Sequence, residues 1–146
     1  MHHLSPLSAV RNLGIIIDSR LTMADHVSAV CHVCYFQLRQ LLVVLQSLTS
    51  ETATSLVHAF ISSRLNYCNA LLYAIADCQL QRLQSVQNAA ARMVTGLRRT
   101  EHITPILRSL HWLPIRQWVT YKLATLVPEC INGRAPEYLA KLLSKR

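Results

Sequence analysis

Cys31-His-Val-Cys34 has the C-x-x-C spacing of half a zinc site, in which two thiolates would need two further Cys or His ligands to close a tetrahedron. No second C-x-x-C and no H-x-x-x-H pair follows it. The pair falls in the middle of a helical pattern, with both sulfurs along the apolar stripe, and Cys is a common small core residue. Packing is therefore the expected role, with no metal and no cofactor. Catalysis has little to stand on. Only seven carboxylates are present, and none are closely paired as two-metal phosphoryl transfer requires. His58 and His111 lie near Ser55 and Ser109, but helical spacing makes such pairs common. No G-x-S-x-G elbow, P-loop or dinucleotide fingerprint accompanies them.

Positive charge is the stronger signal. The net charge of the 146 residues is +8. Residues 1–79 balance Arg11, Arg20, Arg39 and Arg64 against Asp18, Asp25, Glu51 and Asp77, so residues 80–146 carry the whole excess. A one-sided distribution of this kind suits a polyanion on the C-terminal half, although a solvated basic surface would produce the same count. The candidate phosphate-binding residues are Arg92, Arg98, Arg99, His102, Arg108, Arg116 and Lys122, Arg being suited to bidentate contact with phosphate. Trp112, Trp118 and Tyr121 could stack on bases. The helical spacing of Trp118 and Tyr121 favours core packing for those two.

These residues need elements to hold them. Apolar residues make up 51% of the chain, which argues against disorder, and only three Gly and five Pro favour long helices. An odd number of cysteines, five, without a secretory leader suggests a reduced, intracellular setting. No continuous apolar run approaches the length that spans a bilayer. The fold class is mainly α, a bundle of about five to six helices with one short N-terminal strand segment.

The central helix is expected over 78–95. Leu80, Leu83, Val86, Ala90, Met93, Val94 and Leu97 recur at spacings of three and four. Asp77 is its expected cap and Gly96 its end. Ala89 to Ala91 keep its second half thin, so that a neighbour can approach closely. Upstream, residues 10–17 form the strand candidate, since three consecutive isoleucines prefer extended backbone. Its partner is either residues 4–8 or, as favoured here, the missing sheet of a larger domain. Thr22 to Asp25 has the spacing of a capping box, opening a helix to about Ser47. A second helix starts near Glu51, capped by Thr49 or Ser50, with Ala53, Leu56, Val57, Phe60, Ile61 and Leu65 buried. It either continues to Tyr73 or breaks near Asn66. Downstream, Thr104-Pro105 and Leu113-Pro114 are helix starts. The helix through Trp118, Tyr121, Leu123 and Leu126 should kink or end at Pro128. Gly133 ends that segment, and Pro136 opens a last amphipathic turn with Tyr138, Leu139, Leu142 and Leu143. His2 and His3 are expected to be a disordered terminus.

Five stretches carry a family resemblance: NLGIIIDSRLTMADHVSAVC, LVHAFISSRLNYCNALLY, LQRLQSVQNAAARMVTG, RRTEHITPILRSLHWLPIRQ and YKLATLVPECINGRAPEYLAKLL. From Val10 to the end, the chain resembles the C-terminal part of the reverse transcriptase of non-LTR retrotransposons, LINE-type elements of the CR1, L2 and jockey group. The resemblance implies that residues 1–21 are the end of a palm, with Leu13-Gly14 on its last strand. Residues 22–146 would be a helical thumb and the connection beyond it. A thumb of this kind grips the template–primer, so the implied partner is RNA or an RNA–DNA duplex, with no membrane and no small-molecule substrate. Pro128 departs from the family pattern, in which that helix is uninterrupted. The palm aspartates that hold two metal ions have no counterpart here, since the chain contains no Asp-Asp. No catalytic residue and no activity of its own are expected. The residues also allow a small helical protein–protein interaction module, or a decayed reading frame without a selected function.

Overall fold

The computed structural model describes residues 8–67, 69–138 and 141. His2, His3, Cys68, Leu139, Leu142 and Leu143 lie outside the described residues. The first reversal of the chain is set at Leu13-Gly14, where both residues have positive φ, 49° and 82°. Two left-handed residues in succession make the tight turn whose twist matches an antiparallel pair. Strand β1 (Ala9–Asn12) therefore folds back on β2 (Ile15–Asp18), with Val10 opposite Ile17 and Arg11 opposite Ile16. The expected single strand over 10–17 is thus a hairpin that pairs with itself, and the Ser19 amide extends it by donating to the Ser8 carbonyl at 3.0 Å. Gly14 permits the reversal without a Cβ. The Tyr67 hydroxyl, which donates to the Leu13 carbonyl at 2.6 Å, holds the residue that resists it.

Asp18 closes the next turn. One carboxylate oxygen accepts from the Arg20 and Thr22 amides, and the other from the Thr22 hydroxyl at 2.7 Å. These donors hold the Asp18 carboxyl below its ordinary range, the Thr22 hydroxyl most of all. The capping box expected at Thr22 does not form. The hydroxyl donates to Asp18 and accepts from the Ala24 amide at 3.3 Å, but α1 (Ala24–Leu45) starts one residue later than expected, behind a left-handed Met23 with no side-chain cap of its own. Val27, Cys31, Cys34 and Leu38 are buried along α1 as the spacing predicts, whereas Leu42 is exposed. By length and composition α1 would also suffice to cross a membrane. Here its buried side packs on the fourth helix and on β2.

A second rod covers 50–66, made of α2 (Ser50–Val57), a π-helical turn (His58–Ser62) and α3 (Ser63–Asn66). The Thr49 hydroxyl caps it by accepting from the Thr52 amide. Its buried residues Ala53, Val57, Ile61 and Leu65 are four apart. In a plain α-helix that spacing overshoots one turn, so the stripe would wind away from the core. The wider π turn undershoots and brings it back into line. Phe60, expected in the stripe, is exposed. At Tyr67 the backbone becomes extended, which settles the break near Asn66, and a 3₁₀ turn covers Asn69–Leu72.

Helix α4 (Asp77–Thr95) buries Leu80, Leu83, Val86 and Ala90 against α1 and α2. Ala91 faces the other way, under Ile106 and Leu107 of α5 (Ile103–Ser109). Both alanines are fully buried, as close helix approach requires. Gly96 ends α4 in the left-handed region, φ 70°. Asp77 does not cap; Ala76 takes that position, and the Asp77 carboxylate pairs with Arg116. Helix α5 also starts earlier than expected, behind His102 rather than Thr104. Pro105 still falls in the first turn, where its missing N–H has no partner to lose.

Helix α6 (Ile115–Ile131) begins just after Pro114 and runs through Pro128. Of the kink or stop expected there, the stop does not occur, because Ala124, whose carbonyl loses its donor, is exposed to water that can replace it. Gly133, φ 68°, ends the segment. The buried face of α6 is Ile115, Val119 and Cys130, while Tyr121 and Leu126 are exposed. Two glutamines dock α6 onto α4. Gln84 accepts from the Ile115 amide at 2.8 Å, and Gln87, itself buried, donates to the Leu113 carbonyl at 2.9 Å.

Candidate nucleic-acid interface

The polar flank of α4 repeats at spacings of three and four, one notch round from its apolar stripe. Arg82, Ser85, Ala89 and Arg92 fall on this row, and Arg99 follows beyond the end of the helix. On α1, Ser28, His32, Tyr35, Arg39 and Leu42 form a similar row. The two helices lie side by side and leave a groove along their seam. Ser28, Cys31, His32 and Tyr35 face Arg82 and Ser85 across a concavity of about 460 Å³. Tyr35 and Leu42 face Ser85, Asn88, Arg92, Met93, Leu97 and Arg99 across one of about 600 Å³. Tyr35 and Ser85 line both, so the two concavities adjoin along the seam. The lining holds Arg82, Arg92, Arg99 and His32 and no carboxylate. Arg39 lies on the same row of α1, its Nε donating to the Tyr35 carbonyl at 3.4 Å.

Gly96 is what turns the chain back over the groove. Its left-handed backbone ends the helix, after which Leu97 returns to the core and Arg99 to the groove wall. The charges act on Tyr35 between them. Partial desolvation and the neighbouring Cys31 push its phenol up, and the Arg99 guanidinium pulls it back. Beneath the groove, burial pushes the Cys34 thiol up to about 11, because the thiolate would sit in an apolar interior. Cys31 shifts the same way for the same first cause. Both thiols are thus inert core groups, as their position on the α1 stripe suggests. Among the described residues no group of three or more His, Cys, Asp or Glu is placed to hold a metal ion.

Of the seven basic candidates, the fold gathers Arg92 and Arg99 into this groove. Arg98 is exposed in the same loop but does not line it. His102 is exposed at the start of α5. Arg108 lines a separate concavity with Thr104, His111, Trp112 and Gln117. Arg116 pairs with Asp77. Lys122 sits over the Trp118 ring, 5.7 Å from its centroid. Trp118 is half-buried, with its Nε1 buried without an acceptor, and stacks on Tyr121 at 5.9 Å; Tyr121 is exposed, so the core packing expected of both does not extend to it. Trp112 is half-buried between the two apolar clusters, beside His58. Tyr35, His32 and Arg82 were not among the candidates. The spacing of Arg82, Arg92 and Arg99, ten and then seven residues, was the available signal, and it becomes legible once α1 is known to be the neighbour.

Chemically the groove can bind anions along its length, with Arg as donor and one tyrosine ring between the charges. Its lining holds no carboxylate. No family model, no curated protein and no solved structure matches this chain.

Proposed function

We propose that this chain is a non-catalytic, thumb-like part of the reverse transcriptase of a non-LTR retrotransposon, and that it holds nucleic acid in the α1–α4 groove. In this reading residues 1–21 are the end of the palm and residues 22–146 the thumb and its connection. One observation carries the proposal. Arg82, Arg92 and Arg99 line two adjoining concavities on one helix seam with no carboxylate among their walls. A surface of this kind draws a polyanion by releasing its counterions. The resemblance of the five stretches from Val10 onward supplies the identity of the polyanion, RNA or an RNA–DNA duplex. The test is binding of an RNA–DNA hybrid as a function of salt. Affinity should fall steeply as salt rises, and replacing Arg92 and Arg99 together by Gln should flatten the slope. Absence of binding at low salt, or a slope near zero, overturns the reading.

A second reading is favoured by a different surface. Phe36, Val43 and Val44 are exposed on the outer side of α1, with Val43 at 75%. Exposed apolar residues on one helix face suit a protein partner. A helical interaction module would form a defined oligomer or complex that Val43→Asp disrupts and that Arg92→Gln with Arg99→Gln leaves intact. A strictly monomeric protein without a partner would count against it.

A further inference from the structure

The shape of the groove restricts what can lie in it. It runs along the seam of two packed helices, whose axes lie about 8–10 Å apart when side chains interlock. A duplex can lay only one backbone along such a seam, since its bases are stacked inside it and its own major groove, about 12 Å wide, is large enough to admit a whole helix. A single strand can lay phosphates and an unstacked base in it together. We propose that the α1–α4 groove binds single-stranded nucleic acid, its phosphates following Arg82, Arg92 and Arg99 and a base stacking on Tyr35. The proposal rests on the nucleic-acid reading above and narrows its substrate class.

Three observations support it. Arg92 lines the groove, and its Nε is buried without an acceptor. A guanidinium N–H removed from water without a partner is unfavourable, and a phosphate oxygen would satisfy it. Tyr35 stands where the two concavities meet, 38% exposed, and among the described residues its ring stacks on no other ring. Trp118 and Tyr121 contrast with it, since they already stack on each other beneath Lys122. The length also fits. Arg82 and Arg92 are ten residues apart on one helix, about 15 Å at 1.5 Å per residue. That is about four nucleotides at the 3.4 Å spacing of stacked bases. One aromatic ring between basic residues is the usual means of holding a strand without reading its sequence.

The experiment compares three probes of equal length on the whole chain by fluorescence anisotropy: oligothymidylate, oligouridylate and an RNA–DNA hybrid. Either single strand should bind about tenfold more tightly than the hybrid, the size of one base–aromatic stack. The two single-strand arms distinguish DNA from RNA. Tyr35→Ala should weaken single-strand binding about tenfold, and Tyr35→Phe, which keeps the ring, should restore it. Arg99→Gln lies beyond the end of α4 and should reduce the salt slope for a single strand by about 0.7. Circular dichroism and urea unfolding confirm that each variant is folded. A hybrid that binds as tightly as the single strands overturns the inference while leaving the broader reading intact. Equal losses for Tyr35→Ala and Tyr35→Phe overturn the stacking. If no probe binds at low salt, the inference and the reading fall together.

Discussion

Helices α4 and α6 are similar in length, and both carry basic residues, yet only α4 builds a surface from them. Helix α4 is amphipathic, so packing its apolar stripe on α1 leaves the flanking row at the lip of a groove. Arg82 and Arg92 on that row therefore face the same space, with Arg99 beyond the helix end. Helix α6 is apolar on most sides, with Tyr121, Leu126, Val127 and Ile131 exposed. Its cations are engaged one at a time, Arg116 by Asp77 and Lys122 by the Trp118 ring. A count of charges along a sequence measures neither. What collects charge is a neighbouring helix that forms the opposite wall.

The contrast can be broken most directly through the core. Leu83 on α4 is 2% exposed and Leu126 on α6 is 39% exposed. Leu83→Ala should remove about 3 kcal/mol of stability by leaving a cavity. Leu126→Ala should change it by less than about 0.5 kcal/mol. Urea titration of both variants checks this, and equal losses would mean that α6 is packed as α4 is. The binding contrast comes next. Arg92→Gln with Arg99→Gln should cost about tenfold or more in affinity for nucleic acid at low salt. Arg116→Gln with Lys122→Gln should have an effect below about twofold, because those charges are already engaged.

The hinge between the two helices is a smaller target. Gln84→Ala removes the acceptor of the Ile115 amide and should cost about 1–2 kcal/mol, read by the same titration. A pH scan then probes a site that belongs to neither helix. His26 is 7% exposed, and its Nδ1 faces the Ile16 amide at 3.4 Å. Burial, and then the nearby Arg11, lower its pKa below the ordinary 6.5. The unfolded chain therefore takes up the proton first, so the stability is complete above pH 6.5 and is lost as the pH falls below it. His26→Gln should flatten that dependence. Smallest of all is the Arg116–Asp77 pair. Both side chains are more than half exposed, so breaking the pair with Arg116→Gln should change stability by about 0.5 kcal/mol or less.

The helical class, the stripe of α4, the Thr49 cap and the Gly96 stop were legible because each depends on residues within two turns of one another. The hairpin was not, because Leu13 carries no turn signature. It takes a left-handed conformation that its side chain disfavours, with Tyr67, fifty-four positions away, holding its carbonyl. The caps expected at Thr22 and Asp77 failed because each helix starts one residue away from the expected place. Thr22 lies one residue ahead of the cap of α1, and Asp77 lies one residue inside α4, where its carboxylate meets Arg116. The basic candidates were legible as a composition but not as a surface. Residue types specify charge, and only the pairing of α1 with α4 specifies which charges share a wall.

The π turn at His58–Ser62 has a further implication for how this chain tolerates change in length. It holds one residue more than an α-helical turn needs. Deleting a single residue there would leave an unbroken α-helix of ordinary pitch, and because four α-helical residues turn through about the same angle as five π-helical ones, every downstream side chain would keep nearly its present direction. Tyr67 would stay over Leu13, and the hairpin would keep its clasp. A deletion in the plain α-helical part of the same rod would instead rotate Tyr67 by about 100°. The rod therefore absorbs the loss of a residue at one place, and elsewhere such a loss would be felt in strands that share no sequence neighbourhood with the deletion.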